Sequence, residues 1–472
     1  MAAAAEGLNR GQVLGLVAMS VAVLVVANDF TALSVAIPAI EQTFGVGLDT
    51  AQWVINGYAM VFGVLIVTGG RLADMFGRRR MFMVGATIFA AFSVIGGLAP
   101  DIWVLLGARF LMGIGGALMW PAILGMTFDL LPPSRAGLAG GIILGAAGFG
   151  NAVGPLLGGV LTDTVGWRWV FFLNLPVAAL AMLITFRVVG PDTPDSAGQR
   201  IDYPGIAALS IGILSLLYAL DEGAARGWTD PLILGLFGLG AVGLVAFAFI
   251  GRRAGEAALV PSDVLRNRQF AAASVATLMM SAIFFSALVF LPQFMAKQLG
   301  FSAIGSGAGL LPMMGVFAVT SFIAGPLYNR LGPKIVVAAG AICLATGIFM
   351  LSLITAGTTF RELVPGMMVL GVGVGLFYSS VTTAGITALD KSKSSLAGAI
   401  IYMAQIAGGS IGLGLNTALV VTAPSLPEGI AIAFKVNAGL ALAGLAIVVL
   451  FIGSKVDRAR LSSLIHHHRA HA

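Results

Sequence analysis

The sequence predicts an all-α integral membrane protein of fourteen spans, arranged as two pseudo-symmetric six-helix bundles with two further helices inserted between them. Three observations carry that expectation. Of 472 residues, 58% are hydrophobic and 10% are charged, with 64 glycines and a mean hydropathy of +0.99, a balance that soluble globular chains do not reach. Apolar runs long enough to cross a bilayer recur fourteen times. The chain also repeats itself, because the basic loop Gly70 to Arg80, GRLADMFGRRR, is answered by Gly325 to Lys334, GPLYNRLGPK.

The first run begins near Gln12. It follows Arg10 as a signal peptide would, but it lacks a small-residue cleavage site and contains Asn28 and Asp29, so it reads as a retained helix. Spans two and three, from about Thr50 and Met81, flank the basic loop, where Gly70 and Gly77 permit a tight turn and close approach to a neighbour. Spans four, five and six begin near Ile102, Leu138 and Trp169. Pro191 to Arg200, PDTPDSAGQR, is polar and rich in helix breakers, a linker with no visible chemistry. Spans seven and eight, from about Tyr203 and Pro231, have no counterpart in the repeat. The last six begin near Phe270, Ile304, Ile335, Leu363, Leu396 and Gly429.

The repeat extends beyond the loop. Pro38 and Gly45 are answered by Pro292 and Gly300, Gly113 and Gly115 by Gly371 and Gly373, Leu138-Ala139-Gly140 by Leu396-Ala397-Gly398, and Gly150 and Gly154 by Gly408 and Gly412. The expected division is therefore an N-terminal bundle over 1–189, a linker and inserted pair over 190–266, and a C-terminal bundle with a short tail over 267–472. Parallel halves of this kind place a substrate cavity between them near mid-membrane.

A net charge of +6 invites a nucleic-acid partner, but the positions of the charges argue otherwise. With the N-terminus inside, twenty of the 26 basic residues fall in inner loops and five outside, leaving Arg109 in the membrane. That asymmetry orients a chain in a plasma (inner) membrane with both termini cytoplasmic, its partners the lipid bilayer, protons and small molecules rather than nucleic acid. The one cysteine, Cys343, precludes an intrachain disulfide or a cysteine metal site. His466, His467, His468 and His471 read as a tail rather than a metal site, because no carboxylate or cysteine accompanies them. No G-x4-G-K-[ST] loop for ATP is present, and no catalytic groups cluster within the spans, so neither an enzyme nor a bound cofactor is expected.

Two charges stand inside spans: Asp29 and Arg109. An ionisable side chain there costs about 2.5 to 3.5 kcal/mol on insertion scales, which makes function the default explanation. The repeat offers a control. Asp29 falls opposite Ile283 or Phe284 and Arg109 opposite Met367, so the architecture demands neither. At 1.5 Å per residue, Asp29 lies about 25 Å up the first span and Arg109 about 10 Å down the fourth, which places both in the outer half of the core. Low dielectric disfavours a charged carboxyl and a nearby guanidinium favours it, so such a pair suits proton exchange.

The loop Gly70-x3-Asp74-x2-Gly77-Arg78-Arg79 resembles the signature loop of the major facilitator superfamily of transporters. The fifth span, Gly141-x8-Gly150-x3-Gly154-Pro155-x2-Gly158-Gly159, resembles the signature helix of that superfamily's drug:proton antiporters. ANDFTALSVAIP around Asp29, WVINGY from Trp53 to Tyr58, Arg109-x3-Gly113 and WRWVFFLNLP from Trp167 to Pro176 resemble its fourteen-helix branch. Met75 departs from the loop pattern, where a basic residue is usual. Glycines at 150, 154 and 158 line one helix face, expected to pack against the other half, with Pro155 as a kink. In the twin span Leu413 replaces the proline.

The resemblance implies the major facilitator fold, usually monomeric, and an inner gate of Gly70, Asp74, Gly77, Arg78, Arg79 and Asp129, with Arg78 bridging to Asp129. Asn56, Tyr58, Trp120, Asn151, Phe284, Phe285, Tyr378, Tyr402 and Gln405 are expected to line a cavity suited to amphipathic or cationic molecules. Two functions stand open: a proton-driven multidrug antiporter, or a dedicated exporter of one metabolite such as a siderophore, lipid or amino acid.

Overall fold

The computed structural model describes residues 8–192 and 201–453, so the histidine tail and most of the polar linker lie outside the described residues. Fourteen helices there are long and apolar enough to cross a membrane. They are α1 (Arg10–Phe44), α2 (Trp53–Phe76), α3 (Arg78–Gly97), α4 (Ile102–Leu130), α5 (Ala136–Thr164), α6 (Arg168–Val188) and α7 (Tyr203–Arg226). There follow α8 (Pro231–Ala254), α9 (Arg268–Lys297), α10 (Leu311–Leu331), α11 (Pro333–Leu351), α12 (Phe360–Ile386), α13 (Ser394–Thr422) and α14 (Leu426–Phe451).

Helix ends follow local chemistry. Asn9 and Gln12 form a capping box at the start of α1, Thr359 and Glu362 another at α12, and Asp101 caps α4. Gly77 and Gly332, with φ of 105° and 85°, make the tight reversals between α2 and α3 and between α10 and α11; a Cβ resists that conformation. The tenth span departs from the expected single helix. Ala303–Ala308 forms a short helix of its own, and the chain breaks at Gly309 and Leu310 before α10 starts with Pro312 in its first turn.

Two six-helix bundles result. In the first, α1 packs on α5 and α6, and α4 on α2 and α3; in the second, α9 packs on α13 and α14, and α12 on α10 and α11. The bundles meet where α5 packs on α10, α2 on α13 and α4 on α13. The inserted α7 and α8 pack on one another, and α7 leans on α2 and α13 at the flank of that seam. The end of the molecule that holds Arg10, Arg78 and Lys391 is called the basic end below.

Candidate functional site

Arg109 reaches its position because α4 lies unusually close to α2. A Cβ on Gly113 would sit 2.9 Å from the Tyr58 carbonyl oxygen, and one on Gly116 would sit 2.8 Å from the Tyr58 hydroxyl. With glycine at both places, the guanidinium drops against α2. Its Nε donates to the Val54 carbonyl at 2.6 Å, and its carbon sits 4.4 Å from the centre of the Tyr58 ring. Its Nη1 donates to Asp29 Oδ2 at 2.5 Å, and both side chains are fully buried. Nη2 has no hydrogen-bond partner. Sequence reasoning nominated these two residues, but it missed a third. Asn174 on α6 donates from Nδ2 to Asp29 Oδ1 at 3.1 Å and to Ser93 Oγ at 3.2 Å. It lies within WRWVFFLNLP, and a buried amide inside an apolar span was the signal available.

The basic end is closed by polar contacts that cross between the bundles. Asp74 accepts from the backbone amides of Ser395 at 3.2 Å and Leu396 at 2.9 Å, in the first turn of α13, where a carboxylate meets the positive end of the helix dipole. Arg78 ties this contact down. Its Nε and Nη2 donate to Asp74 Oδ1 at 3.0 and 2.9 Å, Nη1 pairs with Asp129, and Nη2 reaches the Lys391 carbonyl at 2.5 Å. The twin loop does the reciprocal thing, since Asn329 Oδ1 accepts from the Gly137 amide at 3.2 Å in the first turn of α5. Gly70 and Gly325 let the backbones touch, because a Cβ at either would lie within 3.0 Å of the facing backbone.

Arg79, expected at this closure, is placed elsewhere. Its side chain donates to the Phe186 carbonyl at 2.9 Å and lies over the Phe186 ring, inside the first bundle. The linker, expected to carry no chemistry, has as its second residue Asp192, whose carboxylate accepts from the amides of Arg79 and Arg80 at 2.9 Å each and so caps α3. A third tie at the basic end joins Lys393 to Asp263 in the short helix Ser262–Arg266, which follows α8. That hydrogen bond holds the Asp263 carboxyl below its usual range.

The glycines of α5 divide their work, which corrects the expectation that positions 150, 154 and 158 face the other half. Those three pack on α1, where Cβ atoms would meet Ala27, Thr31 and the Ala32 carbonyl at 3.1, 2.0 and 2.1 Å. Small residues let α1 and α5 share a tight interface, which fixes the height of Asp29. The bundle seam is made instead by Gly137, Gly141, Gly145 and Gly148, facing Gly325, Ser321, Phe322 and Phe317 of α10. Gly159 packs loosely, with Val35 3.6 Å away. Pro155 lies inside α5; lacking an amide hydrogen, it leaves the Asn151 carbonyl without its helical donor.

The expected cavity residues fall into separate groups. Tyr58 belongs to the Arg109 site. Trp120 and Tyr402 meet across the seam with ring centroids 4.5 Å apart and planes inclined by 44°, and Phe62 meets Tyr402 at 5.6 Å. Phe284, Phe285 and Tyr378 cluster with Phe317 inside the second bundle, where the Tyr378 hydroxyl hydrogen-bonds Ser281 at 2.9 Å. Asn56, Asn151 and Gln405 are half-buried on α2, α5 and α13. Among the described residues no group of histidine, cysteine and carboxylate side chains is arranged to hold a metal.

The chain matches the family model of the Major Facilitator Superfamily over residues 19–413 and again over 273–466. It is 33% identical over 418 residues to a puromycin resistance protein of Streptomyces alboniger, covering 88% of this chain and 82% of that one. It is 31% identical over 409 residues to the multidrug resistance protein Stp of Mycobacterium tuberculosis (strain CDC 1551 / Oshkosh), covering 86% and 75%. Among solved structures it resembles the human organic anion transporter MFSD10, with a TM-score of 0.68 at 14% identity over 93% of this chain and 99% of the other. At that identity the likeness concerns the fold alone.

Proposed function

The chain belongs to the major facilitator superfamily, and on that premise we propose that it is a proton-coupled antiporter exporting amphipathic or cationic small molecules by alternating access. One observation carries the reading: a fully buried carboxylate, Asp29, paired at 2.5 Å with a fully buried Arg109. Taking two charges out of water costs several kcal/mol per ion. A proton can neutralise Asp29, and a cationic substrate can compete with Arg109 for it, so one carboxylate serves both passengers in turn. The drive is adequate at about 2.3 kcal/mol per 100 mV for one charge and about 1.4 kcal/mol per pH unit.

The basic end is the cytoplasmic face of a plasma membrane, with both termini inside, and the closure there is the inner gate. Asp74, Arg78 and Asp129 latch it, Gly70 and Gly77 let it seat, and Trp120 with Tyr402 forms the aromatic floor above. The protein works as a monomer without a cofactor, its energy source the proton gradient. The names of the relatives favour export of toxic compounds, and the one named for puromycin keeps a second reading alive, in which a single compound is the substrate. Export measured in inverted vesicles against a compound panel separates the two by breadth. Accumulation that survives an uncoupler overturns the antiport reading.

A further inference from the structure

Asp29 has two hydrogen-bond donors of different kinds, and the difference has a chemical use. Oδ2 is held by Arg109 Nη1, part of a group that stays protonated and can only donate. Oδ1 is held by the Asn174 amide, 2% exposed, which also donates to Ser93 Oγ, while the Ser93 hydroxyl donates to the Phe171 carbonyl at 2.8 Å. An ionised carboxylate only accepts, so the amide presents Nδ2 to it. A carboxylic acid instead offers an O–H, and an amide turned by half a rotation presents its carbonyl oxygen. Arginine cannot make that exchange.

We propose that Asn174 is a positioning residue for proton exchange at Asp29, which assigns Oδ1 as the oxygen that takes the proton. The inference rests on the antiport reading above. A hydronium gives its proton to Oδ1 and leaves as water. The Asn174 amide then turns to accept the new O–H, the Ser93 hydroxyl swings from Phe171 to the amide oxygen, and Oδ2 stays on Arg109. The new O–H and the Ser93 hydroxyl both find an acceptor in the turned amide oxygen, on the positions that Asp29 and Ser93 already hold beside Asn174.

The surroundings leave this assignment uncluttered. Facing Asp29, α4 supplies Arg109 and α2 supplies Tyr58. The only ionisable residues on α5 and α6 are Asp163, Arg168 and Arg187, at their ends, and α3 brings Ser93. No other titratable group competes for the proton among the described residues. The twin bundle keeps no such amide beside a carboxylate, since Asp29 is answered there by Ile283 or Phe284.

The test needs no identified substrate. Infrared pH-difference spectra of the full-length protein in lipid should contain a carboxylic-acid carbonyl band that disappears in Asp29→Asn. In Asn174→Leu that band should move to higher frequency, and its pH midpoint should rise by about one unit, because a bond to a charged acceptor is roughly twice as strong as its neutral counterpart. Asn174→Gln should recover part of both changes. Ser93→Ala, which leaves the amide on Asp29 but removes the hydroxyl that shares its Nδ2 and would donate to its turned oxygen, should move the midpoint the opposite way by less and serves if the leucine variant does not fold. An unchanged band and midpoint in a folded Asn174→Leu or Ser93→Ala protein overturns the role of Asn174. Absence of any band that depends on Asp29 overturns the antiport reading beneath it, and this inference with it.

Discussion

Substituting Asp74→Asn isolates what the closure at the basic end is worth. The Asp74 side chain is 4% exposed and accepts from Leu396 N at 2.9 Å, Ser395 N at 3.2 Å and two guanidinium nitrogens of Arg78 at 2.9 and 3.0 Å. Asparagine keeps one acceptor oxygen and turns an NH2 toward either the helix amides or the guanidinium, both of which are donors. Hydrogen bonds to a charged group contribute about 1.5–3 kcal/mol each, and a carboxylate at a helix N-terminus up to about 2 kcal/mol. A net loss of about 2 kcal/mol from the closed state lowers the closed-to-open ratio roughly 30-fold.

A cysteine at Ser379, which is 1% exposed on α12, in a Cys343→Ser background reads that ratio as a maleimide labelling rate in inverted vesicles. Labelling should accelerate by roughly the same 30-fold factor in Asp74→Asn. Adding Asn329→Asp places a carboxylate on the reciprocal contact with α5 and, at about 0.3–1 kcal/mol for a charge at a helix end, should take back a factor of about two to five. Unchanged labelling in Asp74→Asn, with normal folding, refutes the argument that this contact holds the end shut.

Four further outcomes are expected. Asp29→Asn abolishes uphill export under a proton gradient while exchange down a substrate gradient survives, read by vesicle flux; full uphill export by that variant places the coupling elsewhere. Gly158→Ala forces a Cβ to within 2.1 Å of the Ala32 carbonyl oxygen, an overpacking worth about 1–3 kcal/mol or more that should lower Tm. Gly159→Ala, whose nearest neighbour is 3.6 Å away, is the neutral control. Asp192→Ala uncaps α3 at about 1 kcal/mol, seen as faster amide exchange at Arg79 and Arg80. The Lys393 contact holds the Asp263 carboxyl below its usual range, so it is present at neutral pH and lost on acidification through that lowered range. Being exposed, it is worth at most about 1 kcal/mol, and Lys393→Ala should loosen residues 259–266 in amide exchange at neutral pH as acid does in the parent.

The fold was legible because spans, loop glycines and repeats are written in composition and period. The pairing of Asp29 with Arg109 was legible too, through two charges at matching depth. What escaped depended on side-chain reach between helices distant in sequence. Asn174 is one amide in an apolar run, and nothing in its own span points at Asp29. Asp192 sits in a segment whose composition says only linker, yet its carboxylate meets two free amides more than a hundred positions earlier. The glycines of α5 misled for a related reason: a helical face is readable from spacing, but which of two neighbours it meets is decided by the path of the chain.

The repeat shows how much of this geometry is needed merely to fold. Gly113 on α4 and Tyr58 on α2 are answered by Gly371 on α12 and Met313 on α10, and the approach is kept: a Cβ on Gly371 would lie 2.4 Å from the Met313 carbonyl oxygen, as one on Gly113 would lie 2.9 Å from that of Tyr58. The backbone arrangement is thus the same while the chemistry is exchanged. Arg109 is answered by Met367 and Asp29 by Ile283 or Phe284, and Met367, Ile283 and Met313 are fully buried without any charge. The second bundle therefore demonstrates an apolar solution to the packing problem that the first solves with a desolvated ion pair. An ion pair inside an apolar bundle is weak evidence for stability, since hydrophobic replacement is often neutral or better. Among the described residues such a buried pair stands in one bundle only, with an amide donating to the carboxylate and an unmatched donor on the guanidinium, an arrangement that the proposed proton exchange would use and that folding does not require.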